Sequence, residues 1–188
     1  MKVFWTFLLC FAMNLAQAAG LEGMHNLVLS NPQGERVVVG KVFFKPLPEG
    51  RYAFEVKMSE SLEEYFLAMR PFQCLTGARH RLCHFPVSRE PAIISSDDLV
   101  PLEYALMFMR TAPASLHVNP FHGVYYRLKI DGNSIKGRLY ELDMDPFITP
   151  DSVPVERRTR PVREQDLSLG DENGHWLPFL QIEPVNAN

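Results

Sequence analysis

The chain has 188 residues, 46% of them hydrophobic and 22% charged, with a formal net charge of −3. That hydrophobic share excludes a disordered bulk state, and the acidic balance excludes the basic face with which proteins displace counterions from nucleic-acid phosphates. The length suits one domain with a well-filled core rather than two.

The first element is an export signal. Lys2 precedes an apolar run from Val3 through Leu15 that contains no acidic residue, and the run closes on the small residues Ala16 and Ala18 around Gln17. This is the pattern a signal peptidase accepts, and it predicts cleavage after Ala18. A membrane span needs about 20 unbroken apolar residues, and this stretch is shorter and interrupted by Asn14, so no span is expected in the mature chain. Cys10 lies inside the apolar run behind Leu8 and Leu9, where a lipobox would place a small residue, so lipidation is not expected. Removing residues 1 to 18 leaves 170 of 188, and since Lys2 is the only charge removed, the net charge moves from −3 to −4. Residues 19 to 188 read as a single domain.

Two hairpins come next. Asn31-Pro32-Gln33-Gly34 is a turn cluster that predicts a strand pair around it, and Arg36 to Lys45 is separated by Leu47-Pro48-Glu49-Gly50 from Arg51 to Met58, where Tyr52, Phe54 and Val56 alternate with smaller or charged residues. Gly40 inside the first arm marks a bulge or sharp bend. Leu62, Tyr65, Phe66 and Met69 then fall at helical spacing, with Ser61 and Glu64 fitting a capping box and Pro71 as terminator, which predicts an amphipathic helix. A second helix is predicted from about Leu99 to Arg110, with Asp98 as cap, Pro101 in the first turn, and Leu99, Leu102, Leu106 and Met109 as the buried stripe. Gly123 to Ile130 and Ile135 to Met144 alternate around the turn Asp131-Gly132-Asn133-Ser134 and form the clearest hairpin. Residues 145–174, rich in proline and including Arg157, Arg158, Arg160 and Arg163, read as a long loop. His175 to Ile182 reads as a final strand, confined by Pro178 to a sheet edge. The whole predicts an α+β fold: an antiparallel sheet of five to seven strands with two amphipathic helices packed on it.

The segment from Cys74 to His84 is the most distinctive. With Cys10 removed by export, Cys74 and Cys83 form an even pair in an oxidising compartment, which predicts a disulfide closing a loop of about ten residues. Zinc held by Cys74, His80, Cys83 and His84 is the alternative. Its spacing is poor, because adjacent Cys83 and His84 point to opposite sides of a strand and there is no C-x-x-C clip. No metal or cofactor is therefore predicted. Arg79, His80, Arg81 and His84, with Arg70 upstream, gather enough positive charge to hold an anion, although such clusters are also found simply solvated. His25, His117, His122 and His175 belong to no nucleophile or metalloprotease motif, and there is no G-x-S-x-G, H-E-x-x-H or phosphate-cradling loop. Glu141, Asp143 and Asp145 supply oxygen ligands for a hard cation or, equally, the wet face of a strand. Phe43, Phe44, Tyr52, Phe54, Tyr125 and Tyr126 line either a core or a curved sheet around an apolar ligand.

The Glu64 to Leu75 segment, EYFLAMRPFQCL, with Val39-Gly40-Lys41-Val42-Phe43-Phe44 before it, resembles a family of small exported proteins of Gram-negative bacteria. The resemblance covers about a third of the chain and implies the same export but no activity. Together these features predict a periplasmic or secreted non-catalytic protein that binds an envelope component or a partner protein. The alternatives are an envelope hydrolase whose site assembles only in three dimensions, and a carrier of a lipid or small apolar ligand.

Overall fold

The computed structural model of the chain describes residues 20–67, 70–87, 90–115, 117, 122–143 and 162–185. The export signal at residues 1–18 and residues 145–161 of the arginine-rich segment lie outside the described residues.

The architecture is a single antiparallel sheet of twelve strands, which corrects the α+β expectation of five to seven strands and two helices. The strands are β1 (Gly23–Ser30), β2 (Arg36–Leu47), β3 (Arg51–Met58), β4 (Glu63–Leu67), β5 (Arg70–Thr76), β6 (Arg81–His84), β7 (Ile93–Ile94), β8 (Phe108–Thr111), β9 (Gly123–Asp131), β10 (Ser134–Leu142), β11 (Leu167–Leu169) and β12 (Phe179–Pro184). The one α-helix among the described residues, α1, is Val100–Ala105. Spatial order is β4-β5-β6-β8-β9-β10-β12-β1-β2-β3-β7, with β11 attached to β10 off this path.

That order forces the sheet to roll. Strands β3 and β4 stand nine positions apart in the sheet, which in a flat sheet would separate them by about 43 Å. Yet only residues 59–62 join them, a link that reaches at most about 17 Å when fully extended. The two ends of the sheet must therefore face each other. Residues 85–87 and 90–92 stand at the seam between them: the Phe85 and Val87 amides donate to the Met107 and Tyr104 carbonyls, at 2.8 and 3.0 Å, and the Ala92 carbonyl accepts from the Phe54 amide at 3.1 Å.

Rolling gives the sheet an inner and an outer face. The inner core gathers Leu27, Leu29, Val42, Phe44, Leu82, Phe108, Tyr126, Ile135, Leu139, Leu180 and Ile182, with Leu99, Leu102 and Leu106 from around α1. A smaller outer core lies on the opposite face of β5, β6, β8 and β9, and contains Leu67, Phe72, Cys74, Cys83, Phe85, Tyr104, Met107, Met109, Tyr125 and Leu142.

Where a helix is predicted over Leu62 to Met69, Glu63–Leu67 forms strand β4, and residues 68 and 69 lie outside the described residues. Its apolar spacing also fits a strand, with Tyr65 and Leu67 on one face and Phe66, 70% exposed, on the other. Aromatic residues suit a pleated surface, and β5 provides the ladder. Ser61 hydrogen-bonds Ser59, at 2.8 Å between hydroxyls, and caps no helix. The second predicted helix is shortened to α1. Asp98 does accept from the Val100 amide at 3.0 Å, and Pro101 lies in the first turn. The chain leaves the helix after Ala105 because Phe108–Thr111 pairs with β6, and the intended stripe divides, Leu106 entering the inner core and Met109 the outer.

The three predicted hairpins form β1–β2, β2–β3 and β9–β10, the last paired from Ser134↔Asp131 to Leu142↔Gly123. The register of β1 on β2 slips between Leu27 and Val28, leaving Val39 as an extra residue beside Gly40. A Cβ at Gly40 would stand 2.6 Å from the Lys57 carbonyl oxygen, so the bulge brings two backbones together where only glycine fits. The final strand is not an edge: β12 lies between β10 and β1. Pro178 precedes it, so the missing N–H removes nothing from the ladder, and its carbonyl accepts from the Leu139 amide at 2.9 Å.

Candidate functional site

The residues that close one end of the rolled sheet are its most polar group. At this end β8 finishes at Arg110-Thr111 and β10 at Glu141-Leu142, and both Arg110 and Glu141 project on the inner face. The Glu141 carboxylate meets the Arg110 guanidinium at 3.4 Å and His175 Nε2 at 2.9 Å, so an ion pair and an imidazole lie directly above the apolar core.

Three loops rise around this base. The β1–β2 turn is folded by Asn31, whose Oδ1 accepts from the Gln33 and Glu35 amides at 3.1 and 3.0 Å, as asparagine turns do. Glu35 then accepts from the Trp176 indole N–H at 2.9 Å, tying the turn to the loop before β12. That loop is wound on Asp171, whose carbonyl receives the Gly174 and His175 amides. The third loop, Gly77 to His80, joins β5 to β6 and is held at its base by the Cys74–Cys83 disulfide between directly opposed residues of those strands. A Cβ on Gly77 would come within 2.6 Å of the Trp176 ring, so the glycine is what lets the loop lie against the indole.

Between the loops is a cavity of about 410 Å³ lined by Asn31, Gln33, Glu35, Ala78, Arg79, His80, Asn173, His175 and Trp176. Arg79 is exposed and forms no ion pair among the described residues. His80 is held below the ordinary histidine range, first by partial burial and then by the Arg110 and Arg79 charges. His175 is lowered too, by burial and Arg110, with Glu141 opposing. Both imidazoles are therefore neutral near pH 7, each offering one donor and one acceptor. The arrangement presents an exposed guanidinium, two neutral imidazoles, three amides and an indole. It can bind a polar ligand with an anionic group, and His80 can accept a proton from it.

Of the five residues predicted as an anion site, Arg79 and His80 alone share this cavity. Arg70 begins β5, whose other end carries the loop, so the two are about 20 Å apart along the strand. Arg81 is buried on the outer face. Its guanidinium donates to the Pro113 and Ser115 carbonyls and lies 3.7 Å over the Tyr65 ring, so its charge is spent holding a loop. His84 lies at the far end of β6, where Nε2 donates to the Ala105 carbonyl at 2.8 Å. Since Cys74 and Cys83 are bonded to each other, neither is a thiolate for zinc.

The other histidines are separate. His25, 1% exposed, bonds the Asn133 carbonyl at 3.2 Å and packs edge-on to Phe44, while His117 and His122 are exposed. Glu141 faces inward to Arg110, Asp143 is exposed, and Asp145 lies outside the described residues. Phe44 and Tyr126 are inner core, Tyr125 is outer core, Tyr52 and Phe54 flank the inner core, and Phe43 is 44% exposed.

Sequence reasoning missed Glu35, Arg110 and Trp176 as site residues, and weighed Glu141 as a ligand for a hard cation rather than as a partner of Arg110 and His175. They come from four separate elements, and no spacing signal links them. No family model, curated protein or solved structure matches the chain.

Proposed function

We propose that the chain is exported and acts in the periplasm or outside the cell as a non-catalytic binding protein. Its ligand is a polar envelope component bearing an anionic group, held in the cavity between the β1–β2 turn, the β5–β6 loop and the 171–176 loop. The observation that carries this reading is the exposed Arg79, without an ion pair among the described residues, beside two neutral histidines, three amides and an indole, on loops fixed by a disulfide and by the Trp176 contact with Gly77. The disulfide supports an oxidising compartment, and among the described residues no helix is long and apolar enough to cross a membrane. A hydrolase would use His175, oriented by Glu141, but among the described residues no hydroxyl or thiol donates to a histidine ring, which favours binding over catalysis.

Intact mass measurement of the protein recovered from its own cells tests the export step: the expected chain begins at Ala19, with no free thiol. Native mass spectrometry of the same sample tests the site. The expected result is a retained anionic species that is lost in Arg79→Ala and Trp176→Ala. Turnover of a broad hydrolase substrate panel, or the same retained mass in both variants, overturns the assignment.

A further inference from the structure

A second cavity, of about 320 Å³, lies in the seam of the rolled sheet, between the β3 edge on one side and α1 with residues 84–87 and 90–92 on the other. Its walls include Phe54, Val56, Pro86, Val87, Pro101 and Ala105, all apolar side chains. Two polar side chains reach it, His84 and Glu90, and Glu90 is exposed at the rim.

Among the described residues His84 is the polar side chain set among the apolar walls, and its protonation is fixed by its neighbours. A carbonyl oxygen only accepts, so the 2.8 Å contact with Ala105 places the ring proton on Nε2. The ring is steadied by Phe108, with centroids 5.3 Å apart. Burial lowers the His84 pKa, which keeps the imidazole neutral. Nδ1 is then a lone-pair acceptor, and no partner for it occurs among the described residues. A neutral acceptor in apolar surroundings selects a ligand with a neutral donor, because an ammonium would lose far more hydration on entry.

We infer that the seam is a binding site for a small apolar molecule bearing one hydroxyl, whose O–H donates to His84 Nδ1 while its hydrocarbon part packs on Phe54, Val56 and Pro101. This site is separate from the polar cavity and does not depend on the function proposed for it. Its position fits the role, since past the Ala53 pairing with β7 the β3 edge faces α1 and residues 84–87 and 90–92 rather than another strand.

Calorimetric titration of the exported protein with 4-ethylphenol and with hexan-1-ol, each against its methyl ether, tests the inference. At least one hydroxyl compound is expected to bind, and which one distinguishes an aromatic from an aliphatic body. Methylation removes the donor and leaves the acceptor unpaired, so the ether is expected to bind about tenfold more weakly. In His84→Phe the alcohol and its ether are expected to bind alike, and in Ala92→Trp, which fills the cavity while keeping the backbone bond to Phe54, neither is expected to bind. Circular dichroism on both variants confirms that the fold persists. The inference is overturned if no alcohol binds, if alcohol and ether bind equally to the unaltered protein, or if their difference survives in His84→Phe.

Discussion

The two faces of the rolled sheet are stabilised in different ways. The inner core is built by long strands whose alternating side chains converge, and its largest members, Phe44, Phe108 and Tyr126, are at most 1% exposed. The outer core rests on shorter strands and leans on specific bonds. Cys74 is linked to Cys83, Arg81 is bound to two carbonyls, and Glu103 accepts from the Tyr125 hydroxyl and, at 2.7 Å, from the Leu128 amide. Glu103 stands where β8 has already ended, so a side chain from α1 does for β9 what a neighbouring strand would otherwise do. Apolar area is forgiving of detail, whereas a bonded core fails one partner at a time.

Truncation at the inner face should be the most costly change. Phe44→Ala is expected to lower the unfolding free energy by about 4 kcal/mol in urea titration, because the rolled sheet cannot collapse into the space left. Protection from hydrogen exchange should fall across all strands together. Removing the disulfide with Cys74→Ala and Cys83→Ala is expected to cost about 3 kcal/mol on the loop-entropy account. Exchange should then rise in β4 to β6 well before β9 and β10. Uniform loss in this double variant would mean that the two faces act as one unit.

Glu103→Ala should cost about 2 kcal/mol, since it strands a buried hydroxyl and an amide, while Glu103→Gln keeps an acceptor and should recover most of it. The smallest effect is expected from acid. His84 is held below its unfolded value of about 6.5, so the unfolded chain binds the proton first and stability falls as pH drops below that value. Burial raises the Glu103 pKa, which acts in the opposite sense: that group favours the folded state below about pH 4.3 and loses this advantage as pH rises to its folded value. Thermal melts of His84→Leu should show a shallower decline between pH 6.5 and 5 than the unaltered chain; an identical slope would remove His84 as its source.

The same contrast explains what was legible in the sequence. Strands of the inner core announce themselves: Val124, Tyr126, Leu128 and Ile130 alternate over a full hairpin, and Asp131-Gly132-Asn133-Ser134 specifies its turn. The disulfide was also legible, from cysteine parity. The Leu62 to Met69 segment was not, because Leu62, Tyr65, Phe66 and Met69 satisfy the helical period while Tyr65 and Leu67 satisfy the strand period over the same eight residues, and the choice was made by β5, a partner arriving only through the fold. Basic residues around the loop were read as one cluster, yet Arg79 and Arg81, two residues apart, have unrelated roles. Strand alternation sends Arg81 to the outer face, and Arg79 stays on the loop. Of the polar cavity only Arg79 and His80 could be read, since Asn31, Glu35, His175 and Trp176 join them only after the sheet has rolled.

The place of β12 has a consequence for the order of events in the cell. It lies between β10 and β1, so until residues 179–184 are available the sheet is two pieces, β1 to β3 with β7 on one side and β4 to β10 on the other. Synthesis delivers this joining strand after the other described strands. A nascent chain of this design cannot lock into its final shape early, which suits the export proposed for it, since a polypeptide threaded through a narrow pore must stay an open strand until it has passed.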